Sequence, residues 1–175
     1  DGERDGDWVE YYENGQTRRK THFSDGLEHG TREEWFPSGK AASKGSFHEG
    51  AQDGEWSFWH ENGQMKAQSN FTVGHEEGTR KSWHENGALA SEAQVVRSQQ
   101  TGLRTFWYDN GQMKSRAYFL DARKQGPEEE NDQDGGWIQT VCYDEDLPGR
   151  GWAAKEGNAQ PAWEAEMCGK TGQST

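Results

Sequence analysis

Glycines at Gly6, Gly30, Gly54, Gly78, Gly102 and Gly126 recur at a constant step of 24 residues. A second glycine follows each of the first five by nine residues, at Gly15, Gly39, Gly63, Gly87 and Gly111. An aromatic falls five after the opening glycine (Tyr11, Trp35, Trp59, Trp83, Trp107), and an apolar residue falls seventeen after it (Phe23, Phe47, Phe71, Val95, Phe119). Four rows in register over five units define a tandem array without insertion or deletion, and such a period constrains the fold more than any local propensity does.

Within a unit the pattern reads as a β-hairpin. Asn-Gly between two short aromatic or alternating runs is the strongest short-range hairpin signal. A two-residue Asn62-Gly63 turn pairs Trp59 with Lys66. A three-residue Glu61-Asn62-Gly63 loop, closing on a left-handed glycine, pairs Trp59 with Met65. The second register is chosen because it also matches Trp83 with Leu89 and Trp107 with Met113, and because glycine takes positive φ without strain. It is expected to gather Trp59, Met65, Ala67, Ser69 and Phe71 on one face, so that Trp35, Trp59, Trp83 and Trp107 form a structural row over small residues. The tip glycines Gly15, Gly39, Gly63, Gly87 and Gly111 are structural in the same sense.

Only 29% of the chain is hydrophobic, too little for a thick globular core, and a stack of units that each touch only their neighbours suits that composition. The expected fold is all-β: tandem hairpins forming an elongated single-layer antiparallel sheet, ten strands and roughly 48 Å for the five full units. Residues 1–126 are assigned to the array and residues 127–175 to an irregular acidic cap containing a worn sixth unit. Gly126, Gly135 and Tyr143 keep to the grid, whereas Pro127 to Asp134 reads as too acidic and apolar-poor for a strand. Trp137 to Tyr143 reads as a strand. "DGERDG" at the start matches "DGLEHG" at Asp25 to Gly30, the closing linker of a unit, and suggests that the natural chain, or its ancestor, extends further N-terminally.

The run G-x-W-x-x-W-x-x-N-G-Q-x-K followed by F-x-x-G resembles the MORN repeat, and is most similar to the bacterial Asn-Gly-turn variant found in YwqK-type antitoxin-like proteins. The resemblance covers Gly6 to about Gln125. It departs from the pattern at Arg32, Arg80 and Arg104, where the second aromatic is an arginine, and at Ser98 and Ala122, where the linker glycine is lost. It implies a repeat scaffold for protein–protein interaction. Two alternatives also follow from it: an antitoxin or immunity protein that covers a toxin, and an accessory repeat region of a larger enzyme.

The chain carries a formal net charge of −12, and the 11 acidic against 3 basic residues beyond position 126 supply −8 of it. Nucleic acid and anionic membrane are therefore disfavoured partners. Another protein is expected instead, on the face opposite the Trp row, centred on Trp56, Phe58, Arg80 and Arg104, since aromatics and arginine are the usual hot-spot types. The array itself is expected to be monomeric.

Catalysis is not expected. A row of like groups suits an extended surface, whereas an active site needs unlike groups converging once. No G-x-S-x-G occurs, and the glycine that "GKT" at Gly169 would need for a phosphate loop falls on Glu164. His60 and His84 hold equivalent places two strands apart, about 9.6 Å, too far to share one ion. No metal or cofactor is expected. Cys142 and Cys168 are the only cysteines; two in a small cap suggest a disulfide, and with it a periplasmic, lipoprotein or secreted setting rather than a cytoplasmic one.

Overall fold

The computed structural model describes residues 3–144 and 147–148. Thirteen strands follow one another: β1 Gly6–Tyr11, β2 Thr17–Ser24, β3 Leu27–Trp35, β4 Ala41–His48, β5 Ala51–Trp59, β6 Met65–Thr72, β7 His75–Trp83, β8 Leu89–Val96, β9 Gln99–Trp107, β10 Met113–Leu120, β11 Arg123–Asn131, β12 Trp137–Asp144 and β13 Leu147–Pro148. They form one open antiparallel sheet in strict chain order. Every pairing is to the next element in sequence, which is the geometry of a repeat array.

Each unit's tip is the three-residue loop. The His60 amide donates to the Gln64 carbonyl and the Gly63 amide to the His60 carbonyl, both at 2.8 Å. Gly63 sits at φ 93°, where a side chain would be strained. Trp59 pairs with Met65, as the register argument requires. The Asn62 side chain braces the turn by accepting from the Gln64 amide at 2.9 Å, then donates to the Glu85 carbonyl of the next tip at 2.6 Å. Asn14, Asn86 and Asn110 reach Pro37, Asp109 and Gln133 in the same way.

The linkers between units are two-residue turns with both central residues left-handed, for example Asp25 at φ 50° and Gly26 at φ 80°. That is the mirror-image turn whose twist matches adjoining strands. Arg97–Ser98 and Asp121–Ala122 keep the same conformation without glycine. At Ser98 the hydroxyl accepts from the Glu76 amide at 3.0 Å, a bond glycine lacks.

Two expectations are corrected here. Pro127 to Asn131 belongs to β11. Its glutamates are tolerated because each meets a donor: Glu128 with Lys124 at 2.8 Å, Glu129 with Arg116 at 2.8 Å, and Glu130 with the Gln139 amide at 2.5 Å. The sixth unit is accordingly a complete hairpin, its tip closed between Asp132 and Gly136. Cys142 lies on β12 opposite Pro127 and is not a free thiol. Cys168 lies outside the described residues, as does the rest of the expected cap beyond Pro148.

The second correction concerns the faces. Trp59 pairs with Met65, but the preceding Phe58 pairs with Ala67, so Lys66 is an extra residue in β6. The same one-residue bulge recurs at Arg18, Ala42, Ala90, Lys114 and Ile138. An extra residue moves everything beyond it to the other side of the pleat. Ala67, Ser69 and Phe71 therefore share a face with Phe58, Trp56 and Gly54, not with Trp59. Trp35, Trp59, Trp83 and Trp107 are half-buried on the second face, where Lys20 lies 5.7 Å from the Trp35 ring.

Candidate partner-binding face

The first face is organised in three rows that cross the strands. The middle row alternates large and small side chains: Trp8, Thr21, Arg32, Gly45, Trp56, Ser69, Arg80, Ala93, Arg104, Ala117. Each large group lies beside two small ones, and that is how a single layer shields apolar surface. Thr21, Ser69, Ala93 and Ala117 are all buried.

Trp56 is the centre of the core, only 4% exposed. Its ring meets Phe47 edge-on at 5.2 Å, Phe71 edge-on at 6.4 Å and Phe58 in a stack at 6.1 Å. Its indole N–H donates to the Ser46 carbonyl at 3.2 Å. Gly45 makes this possible, because a Cβ there would stand 2.1 Å from the indole. The four residues expected to receive a partner do share the face opposite the Trp row. Trp56 is corrected to a core residue, while Phe58, Arg80 and Arg104 remain half-exposed. Lys20, Lys44 and Arg116 line the second face in a charged row with Glu33 and Glu129.

The neighbouring row runs Phe58, Ala67, Ser82, Ser91, Phe106. Three small residues separate two phenylalanines four strands apart, about 19 Å. Ala67, Ser82 and Ser91 are only half-buried, so the floor between the rings is open, with Ser82 and Ser91 hydrogen-bonded to each other at 2.7 Å. Arg80 and Arg104 stand beside that floor.

From Gly30 to Gly126 the opening glycines, at φ between 67° and 85°, lie in a second, wider bulge between units. At Gly30, for instance, the register slips between the Thr21–Arg32 and Phe23–Glu28 pairs. In a plain strand residues four apart are roughly 13 Å apart. The bulge brings them together: Arg32 reaches Glu28 at 3.5 Å and Arg80 reaches Glu76 at 3.1 Å. The Ser69 hydroxyl donates to the same Glu76 carboxylate at 2.6 Å.

Charge on the row is tuned by these contacts. Burial by itself would raise the Glu34 carboxyl, but hydrogen bonds from Arg32 and Ser43 hold it below the ordinary carboxylate range. Glu10 is held low by its hydrogen bond from Arg19, which is raised in turn. Burial and the charge of Arg80 push Arg104 down from the usual arginine value.

Two of the histidines have structural work. His60 Nε2 donates to the Trp83 carbonyl and His84 Nε2 to the Trp107 carbonyl, both at 2.9 Å, the place that the Tyr12 and Tyr108 hydroxyls take in their units. Among the described residues no three His, Cys, Asp or Glu side chains come together as a metal site.

No curated protein matches this chain. The family model described as MORN repeat variant matches four stretches, residues 4–25, 52–72, 76–96 and 100–121, and each covers one hairpin of the sheet. The hairpins β3–β4 and β11–β12 fall outside those stretches yet repeat the same geometry, the former with Phe36-Pro37-Ser38 where its neighbours carry an aromatic or His, Glu or Asp, and Asn. By these matches, four of the six hairpins are MORN-variant repeats.

Proposed function

We propose that this protein is a non-enzymatic scaffold that holds another protein against its first face. The open floor of Ala67, Ser82 and Ser91 between Phe58 and Phe106 carries this reading: it is a wide, shallow, rigid surface edged by aromatic and guanidinium groups, the composition of a binding hot spot. Buried Trp56 and the hydrogen-bonded tips hold the surface in shape without the partner, which keeps the ordering cost of association low. The resemblance to the bacterial Asn-Gly-turn variant supports a bacterial setting, and a Cys142 that is not a free thiol supports an oxidising compartment.

The test is capture by the wild-type chain and by the double variant Phe58→Ser, Phe106→Ser, each recovered proteins being identified by mass spectrometry. A partner retained by the wild type and lost by the double variant, with the fold intact by circular dichroism, is the expected result. Equal recovery by both chains would place the docking surface elsewhere.

A further inference from the structure

The bulge at each opening glycine makes the residues two before and two after it a recurrent pair on the first face. Arg4 lies 4.6 Å from the Trp8 ring, and Glu28 meets Arg32, Glu76 meets Arg80, and Lys124 meets Glu128. In the fifth unit the pair is Gln100 and Arg104, in contact at 3.0 Å. Here the charges do not cancel. Arg32 and Arg80 each have a carboxylate, whereas Arg104 has an amide oxygen and the face of Phe106 at 4.2 Å, and no carboxylate among the described residues. With its oxygen taken by Arg104, the Gln100 amide keeps Nε2 as a donor, and that atom is buried with no hydrogen-bond partner.

A half-buried guanidinium without a counter-charge and a buried donor without an acceptor are each unfavourable by themselves. They share one remedy, a group with negative charge and acceptor oxygens. Arg80, two strands away across Ala93, adds positive potential, but its own charge is already offset by Glu76. One net positive charge is thus left to satisfy. That fits a carboxylate monoanion better than a phosphate dianion, and the chain's net −12 opposes polyanionic surfaces.

Building on the scaffold reading, we propose that Arg104, with Gln100 and flanked by Arg80, is a carboxylate-binding site that receives an Asp or Glu side chain of an acidic peptide segment in the partner, with an adjacent apolar residue of that segment on Phe106. A fork of guanidinium N–H donors matches a carboxylate in geometry as well as in charge.

Fluorescence anisotropy on the full chain at low salt tests this with four probes: a rhodamine-labelled Glu/Phe peptide, its Gln counterpart, its phosphoserine counterpart, and phosphatidylserine vesicles. The Glu peptide is expected to bind at least about tenfold tighter than the Gln peptide, the loss typical of a charge-assisted pair. Gln100→Glu gives the fifth unit the pair that Glu76 and Arg80 form in the fourth. It should weaken the Glu peptide about tenfold while leaving the melting temperature unchanged or higher, a result misfolding cannot mimic. Arg104→Lys should fall between. Equal binding of the Glu and Gln peptides, undiminished binding by Gln100→Glu, or preference for phosphoserine or vesicles would each overturn the site. If Gln100→Glu still captures a partner that the Phe58, Phe106 double variant loses, the scaffold stands and the carboxylate site falls.

Discussion

Trp56 and Arg104 hold the same place in their units, two residues after the opening glycine, and have opposite fates. Trp56 crosses between Gly45 and Ser69, and the missing Cβ at Gly45 lets an indole lie flat and become the core. Arg104 crosses between Ala93 and Ala117. The Ala93 methyl stands where Gly45 leaves room beside Trp56, and the slot holds a thin side chain whose guanidinium reaches Gln100 and the face of Phe106. One backbone slot thus serves as core or as the proposed carboxylate site, according to whether a glycine stands beside it.

Truncating the slot where it is core should have the largest effect. Trp56→Ala is expected to cost about 3–5 kcal/mol in denaturant unfolding. Trp59→Ala, on the half-covered second face, should cost less than half as much; equal losses would mean that the faces are not as unlike as their burial indicates. Gly45→Ala tests the same contact from the other side. Its Cβ meets indole carbons held by three phenylalanines, so overpacking of about 1–3 kcal/mol is expected, and an unchanged unfolding midpoint would show that the ring is free to shift.

A gain is expected away from both faces. Val73 is 71% exposed and left-handed at φ 48° in its linker turn, costly for a β-branched residue. Val73→Asn should stabilise by about 1 kcal/mol, read as a higher melting temperature. The smallest effect is with acid. Glu34 and Glu10 are depressed in the folded chain, so their contribution is present above the ordinary Glu pKa near 4.3 and is lost as pH falls through their folded values. Stability should decline below about pH 4, and Glu34→Gln should flatten that decline without altering stability's pH dependence near neutrality.

The grid and the Asn-Gly turns made the hairpins, the three-residue tips and the Trp59–Met65 register legible in the sequence. The sorting of residues to faces was not legible, and the reason is specific. The bulge that flips each strand falls on Arg18, Ala42, Lys66, Ala90, Lys114 and Ile138, which share no chemistry; the bulge is set by the backbone of the loop before it. At Pro127 to Asn131 the grid spoke for a strand and composition against it. Composition misled because donors on neighbouring strands offset the glutamates. The linkers were not read as hairpin turns; only Asp25-Gly26 carries a recognised hairpin dipeptide, and Glu49-Gly50, Val73-Gly74, Arg97-Ser98 and Asp121-Ala122 do not. The unmatched Arg104 was not, since its neighbour at Gln100 depends on the wide bulge at Gly102.

The side-chain bonds from one tip to the next all span 23 residues, and every strand pairs only with its neighbours in sequence. Sequence separation between contacting residues is therefore low for a β protein, and closure of each hairpin costs little loop entropy, which favours quick folding outward from whichever hairpin closes first. Such a chain also has a natural quantum of length. Removing 24 residues takes out two strands, about 9.6 Å, and returns every remaining side chain to its original face. Twelve removed residues would join unlike turns and put core groups in water. Evolution can lengthen or shorten this sheet, and so add or remove hairpins on either side of the proposed binding row, only in whole steps.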